Sequence, residues 1–352
     1  MKPGTFYAFS GLTAAVVVAA GVAVSTQTEI TVLTAGTDPA FPLLNENVNA
    51  VAKIEIQNAK SNFSMTLDNG NWGLDQNDGY RVEFQKVKSA IVNLSNFKLI
   101  EKKTADAARY GRLELNDPAD NDAKSRKVVL KDAKGNVLVD TVVGKLNPNL
   151  FGTGGAGTYI RRADEKATWL ARGQVELGEE PNNWMARQIV NYGQEKVRRV
   201  VITSPEGRKI ILGKAAAKEP NFKIKNLPEG RAIKNKDEVD PLAGVMWRMM
   251  FDDVQKAEKQ EWPATPWVAH YSVWDGYTVR IETVQFGDDF WGRFSATVDE
   301  EVIEANQKTS AKNAVAKINA RTKGWTYMLT AGDSEKLTSK MEDYLAKSKK
   351  GS

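Results

Sequence analysis

The sequence predicts an α+β protein: two tandem, diverged copies of a β-rich unit, each carrying one main helix, preceded by an N-terminal transmembrane helix. Three observations lead there. Short β-branched runs separated by Asn-Gly and Asp-Gly turns fill most of the chain. A helical period of apolar residues surfaces once in each half. An uncharged, mostly apolar stretch of 20 residues, 5–24, stands near the start.

That stretch, at roughly 1.5 Å per helical residue, spans about 30 Å, the thickness of a bilayer's hydrocarbon core. Lys2 precedes it, the next basic residue is Lys53, and Glu29, Asp38 and Glu46 follow it. The positive flank stays in the cytoplasm, so the rest of the chain is exported. A retained anchor fits the length; a cleaved signal peptide, with Ala23 and Ser25 before the cut, is the competing reading of 1–28.

Residues 29–50, polar and interrupted by proline, read as a connector. The first unit, 51–175, opens with strands at AVAKIEIQ, FSMTL and NWGL, the last two joined by Asp68-Asn69-Gly70. Phe84, Val87, Ile91, Leu94 and Phe97 then mark one face of a helix over 84–98. KVVLKDAKGNVLVDTVVG is a hairpin, and GTYIRR and ATWLA are further strands.

A linking helix is expected within 176–196, where Pro181, Trp184, Ile189 and Val190 lie. The second unit, 197–332, repeats the order with KVRRVVITS, RKIIL and NFKI. Asp240 as N-cap and Pro241 at the first helical position predict a helix over 241–256, with Leu242, Val245, Met246, Met249, Met250 and Val254 on one face. HYSVWDGYTVRIETVQFG, GRFSATV and GWTYML complete the strands, with a polar insertion at about 299–323. The landmarks correspond: Trp72 to Phe222, Gly144 to Gly287, Trp169 to Tyr327. Leu337, Met341, Tyr344 and Leu345 predict a C-terminal helix ahead of a basic tail in 333–352.

Composition removes whole classes of chemistry. Without cysteine there is no disulfide, thiolate metal site or cysteine nucleophile, and His270 is the only histidine. A net charge of +5, interspersed, does not point to nucleic acid. The glycines of 152–157 match a dinucleotide spacing, but a strand-like Thr158-Tyr159-Ile160 follows where a helix is required. Ser95 and Lys98 fit S-x-x-K without its partner motifs. Asp252-Asp253 and Asp288-Asp289 lack the spacing of a calcium loop. No catalytic residue, cofactor or metal site is predicted.

Seven of the nine tryptophans lie after residue 180. Trp262, Trp267, Trp274 and Trp291 are the candidate interaction surface, because proline keeps 262–267 irregular and aromatic anchors are what interfaces use.

The run FPLLNENVNAVAKIEI at 41–56, Asn71-Trp72 ahead of a helix, ARYGRLELNDP at 108–118 and the glycine-rich turn into Thr158-Tyr159-Ile160-Arg161-Arg162 resemble the DUF4340 family over about residues 40–330. The family usually reads Tyr-Gly-Leu where this chain has Tyr110-Gly111-Arg112-Leu113. The resemblance implies an exported bacterial protein with an N-terminal membrane segment, found beside ABC transporters of the gliding-motility type and their large extracytoplasmic auxiliary subunits. It supplies no catalytic residues. The expectation is a single-pass protein of the bacterial inner membrane, its bulk in the periplasm. It would be a non-catalytic accessory subunit whose partners are envelope proteins, an ABC permease or auxiliary subunit among them. Two alternatives stay open: a periplasmic module that binds a ligand or glycan through the second-half tryptophans, and a hydrolase built on carboxylates, which the absence of cysteine and the single histidine do not exclude. A reporter active only in the cytoplasm, fused after Ser352, is expected to be inactive; robust activity would overturn the export reading.

Overall fold

The computed structural model of the chain describes residues 38–150, 155–300 and 307–347. The apolar stretch at 5–24, with the anchor or signal segment read over 1–28, lies outside the described residues. Among the described residues no helix is long and apolar enough to cross a membrane.

The segment expected as a connector is part of the core from residue 38 onward. A short helix, α1 (Pro42–Glu46), buries Leu44, and Phe41 packs against Phe97 with ring centroids 6.3 Å apart. Ala40 N–H donates to Phe97 O at 2.8 Å, and Leu99 N–H to Asp38 O at 2.9 Å. The apolar Phe41 and Leu44 override the polar average of their surroundings.

The first sheet contains β1 (Val51–Gln57), β2 (Asn62–Asp68), β3 (Asn71–Leu74), β4 (Tyr80–Arg81), β5 (Lys98–Lys102), β6 (Arg126–Asp132), β7 (Val137–Asn147), β8 (Gly157–Arg162) and β9 (Thr168–Arg172). Its order is β4-β3-β2-β1-β6-β7-β8-β9-β5. Every pairing is antiparallel. Asn69 (φ 48°) and Gly70 (φ 80°) make the left-handed pair that a two-residue hairpin between β2 and β3 requires. Between β4 and β5 runs α2 (Phe84–Ser95), which buries Val87, Ala90, Ile91 and Leu94. Phe84, expected on the same face, sits at the margin of their arc and stays 56% exposed. Phe97 is buried but lies beyond the helix.

The second sheet contains β10 (Gln188–Val190), β11 (Val197–Thr203), β12 (Lys209–Gly213), β13 (Lys223–Ile224), β14 (Met249–Lys256), β15 (Trp267–Val273), β16 (Tyr277–Phe286), β17 (Asp289–Val298) and β18 (Trp325–Leu329). Read from one edge, its order is β13-β12-β11-β15-β16-β17-β18-β14-β10. With the edge strands β4 and β10 set aside, the two sheets have the same order of strands.

Four expectations are corrected here. The helix over 241–256 shrinks to α3 (Asp240–Ala243), and Met249, Met250 and Val254 belong to strand β14. Arg248, at φ 52°, ends the helical run, and pairing with β10 and β18 imposes the extended form. Asp240 is no N-cap; its carboxylate accepts from Phe222 N–H at 2.7 Å instead. The linking helix is a 3-10 turn, Pro181–Asn183, followed by β10 in the second sheet. The C-terminal helix breaks after α5 (Ala331–Leu337) and is followed by a 3-10 turn, Met341–Tyr344.

The supposed insertion instead holds a helix, α4 (Lys308–Thr322), with work to do. β17 pairs with β18 only at Trp291 and Gly292. Beyond that point Asn319 binds both the N–H and the carbonyl of Ala296, at 2.8 and 2.9 Å. Thr322 Oγ1 donates to Phe294 O at 2.9 Å. The helix thus covers a strand edge that would otherwise stand open. The glycine landmarks also differ in kind. Gly144 lies within β7, where a Cβ would meet Leu113 O at 2.4 Å, whereas Gly287 is a turn residue at φ 61°.

The two sheets meet at β4. Val82 bridges to Met185, Ala186 N–H donates to Arg81 O, and Glu83 N–H donates to Trp184 O at 2.7 Å. Tyr80, 1% exposed, puts its ring edge-on to Phe251 (5.3 Å), Trp325 (4.9 Å) and Tyr327 (6.1 Å) of the second sheet. Asn77 Nδ2 donates to Asp253 Oδ1 and Val254 O, and Asn182 Nδ2 to Asp252 O. One continuous hydrophobic cluster runs through both halves. Replacing Tyr80 by Ala is therefore expected to cost about 3–5 kcal/mol in chemical denaturation. Tyr80→Phe should cost much less than Tyr80→Ala, since the ring stays in place and the hydroxyl's bond to Ala186 O is long, at 3.5 Å. An alanine cost near zero would show that the joint is held elsewhere.

Candidate functional site

The four tryptophans singled out in the sequence do not form one surface. Trp262 follows the 3-10 turn Ala257–Lys259 on the segment between β14 and β15. The Arg293 guanidinium lies 4.1 Å from its ring centroid, and the Phe286 ring is 6.0 Å away. Arg293 in turn donates to Ala257 O and Gln260 O, at 3.1 and 3.4 Å, so the same cation fixes the backbone of the segment. Phe286 and Arg293 occupy the face of the second sheet opposite to buried Ile281 and Phe294, and Trp291, two residues from Arg293, shares that face. Trp262, Arg293, Phe286 and Trp291 therefore make a ledge on the outer side of the sheet.

Trp267 points the other way. It shares strand parity with buried Ala269, Tyr271 and Val273, and packs partly buried against the core. Trp274 lies at the far end of β15, seven residues from Trp267, or about 23 Å along an extended strand. Its indole Nε1 is buried without a hydrogen-bond partner. The most exposed tryptophan is one the sequence did not single out: Trp247, 62% exposed beside Arg248, in the turn that breaks the expected helix. The signal that could have found it is the failure of Trp247 to fit the apolar spacing of that run.

A family model for a domain of unknown function, DUF4340, matches residues 72–263. The chain belongs to the DUF4340 family. The matched span of this DUF4340 chain starts at Trp72, crosses the joint at Tyr80 and ends beside Trp262. No curated protein and no solved structure matches the chain.

The side chains with chemistry to offer are engaged in structure. Ser95 Oγ donates to Val92 O at 2.8 Å, inside the helix that carries it. Asp252 pairs with Arg187 at 2.7 Å, and Asp253 accepts from Asn77 and from Val254 N–H. Gly157 opens strand β8, not a helix; the rest of the glycine cluster up to Gly154 lies outside the described residues. Among the described residues no acidic or histidine cluster could hold a metal ion.

His270 sits mid-strand on β15, between Val201 of β11 and Arg280 of β16. Burial lowers its pKa below the ordinary value near 6.5, and the positive charges of Arg280 and Lys209 lower it further. The unfolded chain thus binds a proton there more readily than the fold does. Stability from this group is complete above pH 6.5 and is lost as pH falls toward the folded-state value. His270→Gln should flatten the decline in Tm between about pH 7 and pH 5.5, above the range where carboxylates titrate. An unchanged pH slope in that variant would sink the assignment.

Proposed function

We propose that this DUF4340 protein is a membrane-anchored, extracytoplasmic interaction subunit without turnover of its own, which binds an envelope protein of an ABC-type transport system. The charge pattern around residues 5–24 supports the topology. The transporter association rests on the family resemblance alone. The observation that carries the binding role is the Trp262 ledge. A large ring lies over a guanidinium that is pinned at two carbonyls, and Pro263, Ala264 and Thr265 beside it are exposed. A tryptophan on a tethered loop, backed by an arginine of strand β17 and ordered before contact, has the composition and the pre-organisation that protein interfaces use.

We also read the two sheets as diverged copies of one unit. The shared strand order supports this, and so do two bulges at matching places. β1 against β6 slips between Val51 and Lys53, and β11 against β15 between Val197 and Arg199. β5 against β9 slips between Leu99 and Glu101, and β14 against β18 between Phe251 and Asp253. Independent sheets have no reason to place bulges at the same two positions.

The test is affinity recovery of the tagged full chain from gently solubilised membranes. Wild type should bring down an envelope protein. Trp262→Ala should lose most of that recovery while its Tm stays within a few degrees of wild type. A folded Trp262→Ala variant with full recovery would move the interface off the ledge, and no envelope protein with wild type would end the accessory-subunit reading.

A further inference from the structure

We propose that the second sheet carries a binding site for a phosphate-type oxyanion, in the cavity between β11, β12 and Trp274. The cavity measures about 360 Å³ and is lined by Arg198, Arg199, Lys214, Lys225 and Trp274 among others, with no acidic residue in its wall. Strand pairing brings the cations together. Arg199 lies opposite Gly213, Gly213 lies opposite Lys223, and Lys225 folds its methylenes to within 3.2 Å of where a Gly213 Cβ would be.

Only one of these four charges is compensated. Arg198 pairs with Asp299 at 3.0 Å. Lys214 is only 8% exposed, and its ammonium lies 4.4 Å from the centroid of the Phe222 ring. Among the described residues no carboxylate pairs with Lys214, Arg199 or Lys225. The acids nearby are engaged: Glu219 accepts from Ala215 N–H at 3.1 Å, and Asp275 pairs with Lys196 at 3.5 Å. The Lys214 side chain is thus buried along most of its length, and an aromatic face supplies only part of what a counter-charge at its ammonium would. Two buried donors at the same cavity, Trp274 Nε1 and Arg198 Nε, also have no acceptor. A bound oxyanion supplies the missing charge and the missing acceptors together.

The fold itself does not require this set. By strand pairing, the matching positions of the first sheet are Ala52, Lys53, Leu67, Asp75 and Ala133, in the order Arg198, Arg199, Lys214, Lys225, Trp274. The same bulge and the same strand order are built there without a cluster of cations. Three uncompensated cations match a phosphate dianion or phosphate ester better than a single carboxylate.

The experiment is a titration of the full chain with inorganic phosphate at fixed ionic strength, with chloride as control. The readouts are heat and the indole N–H resonance of Trp274, assigned through Trp274→Phe. Saturable binding that shifts this resonance is expected. Arg199→Ala/Lys225→Ala, both at exposed positions, should weaken binding about tenfold or more with Tm in phosphate-free buffer unchanged. Lys214→Met should abolish binding, and the exposed pair decides the matter alone if that variant fails to fold. Dihexanoyl phosphatidylglycerol as a second titrant identifies the source. Binding tighter than phosphate assigns a lipid headgroup, weaker binding assigns free phosphate or a soluble phosphate ester, and both support the site. Phosphate behaving like chloride, or an affinity unchanged in the exposed pair variant, overturns it.

Discussion

The architecture depends on one ring, Tyr80, seated among Phe251, Trp325 and Tyr327. β4 is only two residues long and lies at the edge of the first sheet, where so short a strand has little to hold it. The second half supplies what it lacks. The chain at 184–186 satisfies the backbone of 81–83 and continues into β10 at the edge of the second sheet. The crossing segment covers the open side of β4, and Arg321 of α4 donates to the carbonyls of Gln188 and Ile189 in the edge strand β10, at 3.3 and 3.2 Å.

Much of this was legible in the sequence where local chemistry decides conformation. Asn69-Gly70 specifies a hairpin because both residues tolerate positive φ, and the structure has them there. Most strands were legible for the same reason: β-branched runs ended by turn residues. What failed was decided at long range. Met249, Met250 and Val254 fit a helical period, yet they form β14 because partners on both sides hold it extended. The polar composition of Lys308–Thr322 hid α4, whose role is to bond a strand edge through Asn319 and Thr322 more than to bury apolar surface.

The site was less legible than the fold. Tryptophan content pointed to the second half, but it could not say which ring faces the core. Trp262 and Trp267 look alike in sequence, and strand parity sends Trp267 inward. The cations around Trp274 come from three segments 49 to 76 residues upstream of it, so no spacing rule connects them. Nothing in the sequence marks Lys214 as buried, since the lysine only becomes anomalous once Phe222 is folded over it.

The joint and the ledge are mechanically continuous. Lys259 ends the 3-10 turn that leads to Trp262, and its ammonium pairs with Asp78 of the first half at 2.6 Å. Ala257 N–H donates to Gly324 O at the start of β18, and Ala257 O accepts from Arg293. The segment is thus tied to the first sheet's edge, to β18 and to β17 at once. The Lys259 ion pair is partly exposed and worth little by itself, so the order comes from the sum of the three ties. A partner meeting Trp262 meets a ring already fixed relative to both sheets, and the ordering cost that a free loop would add to binding is largely absent.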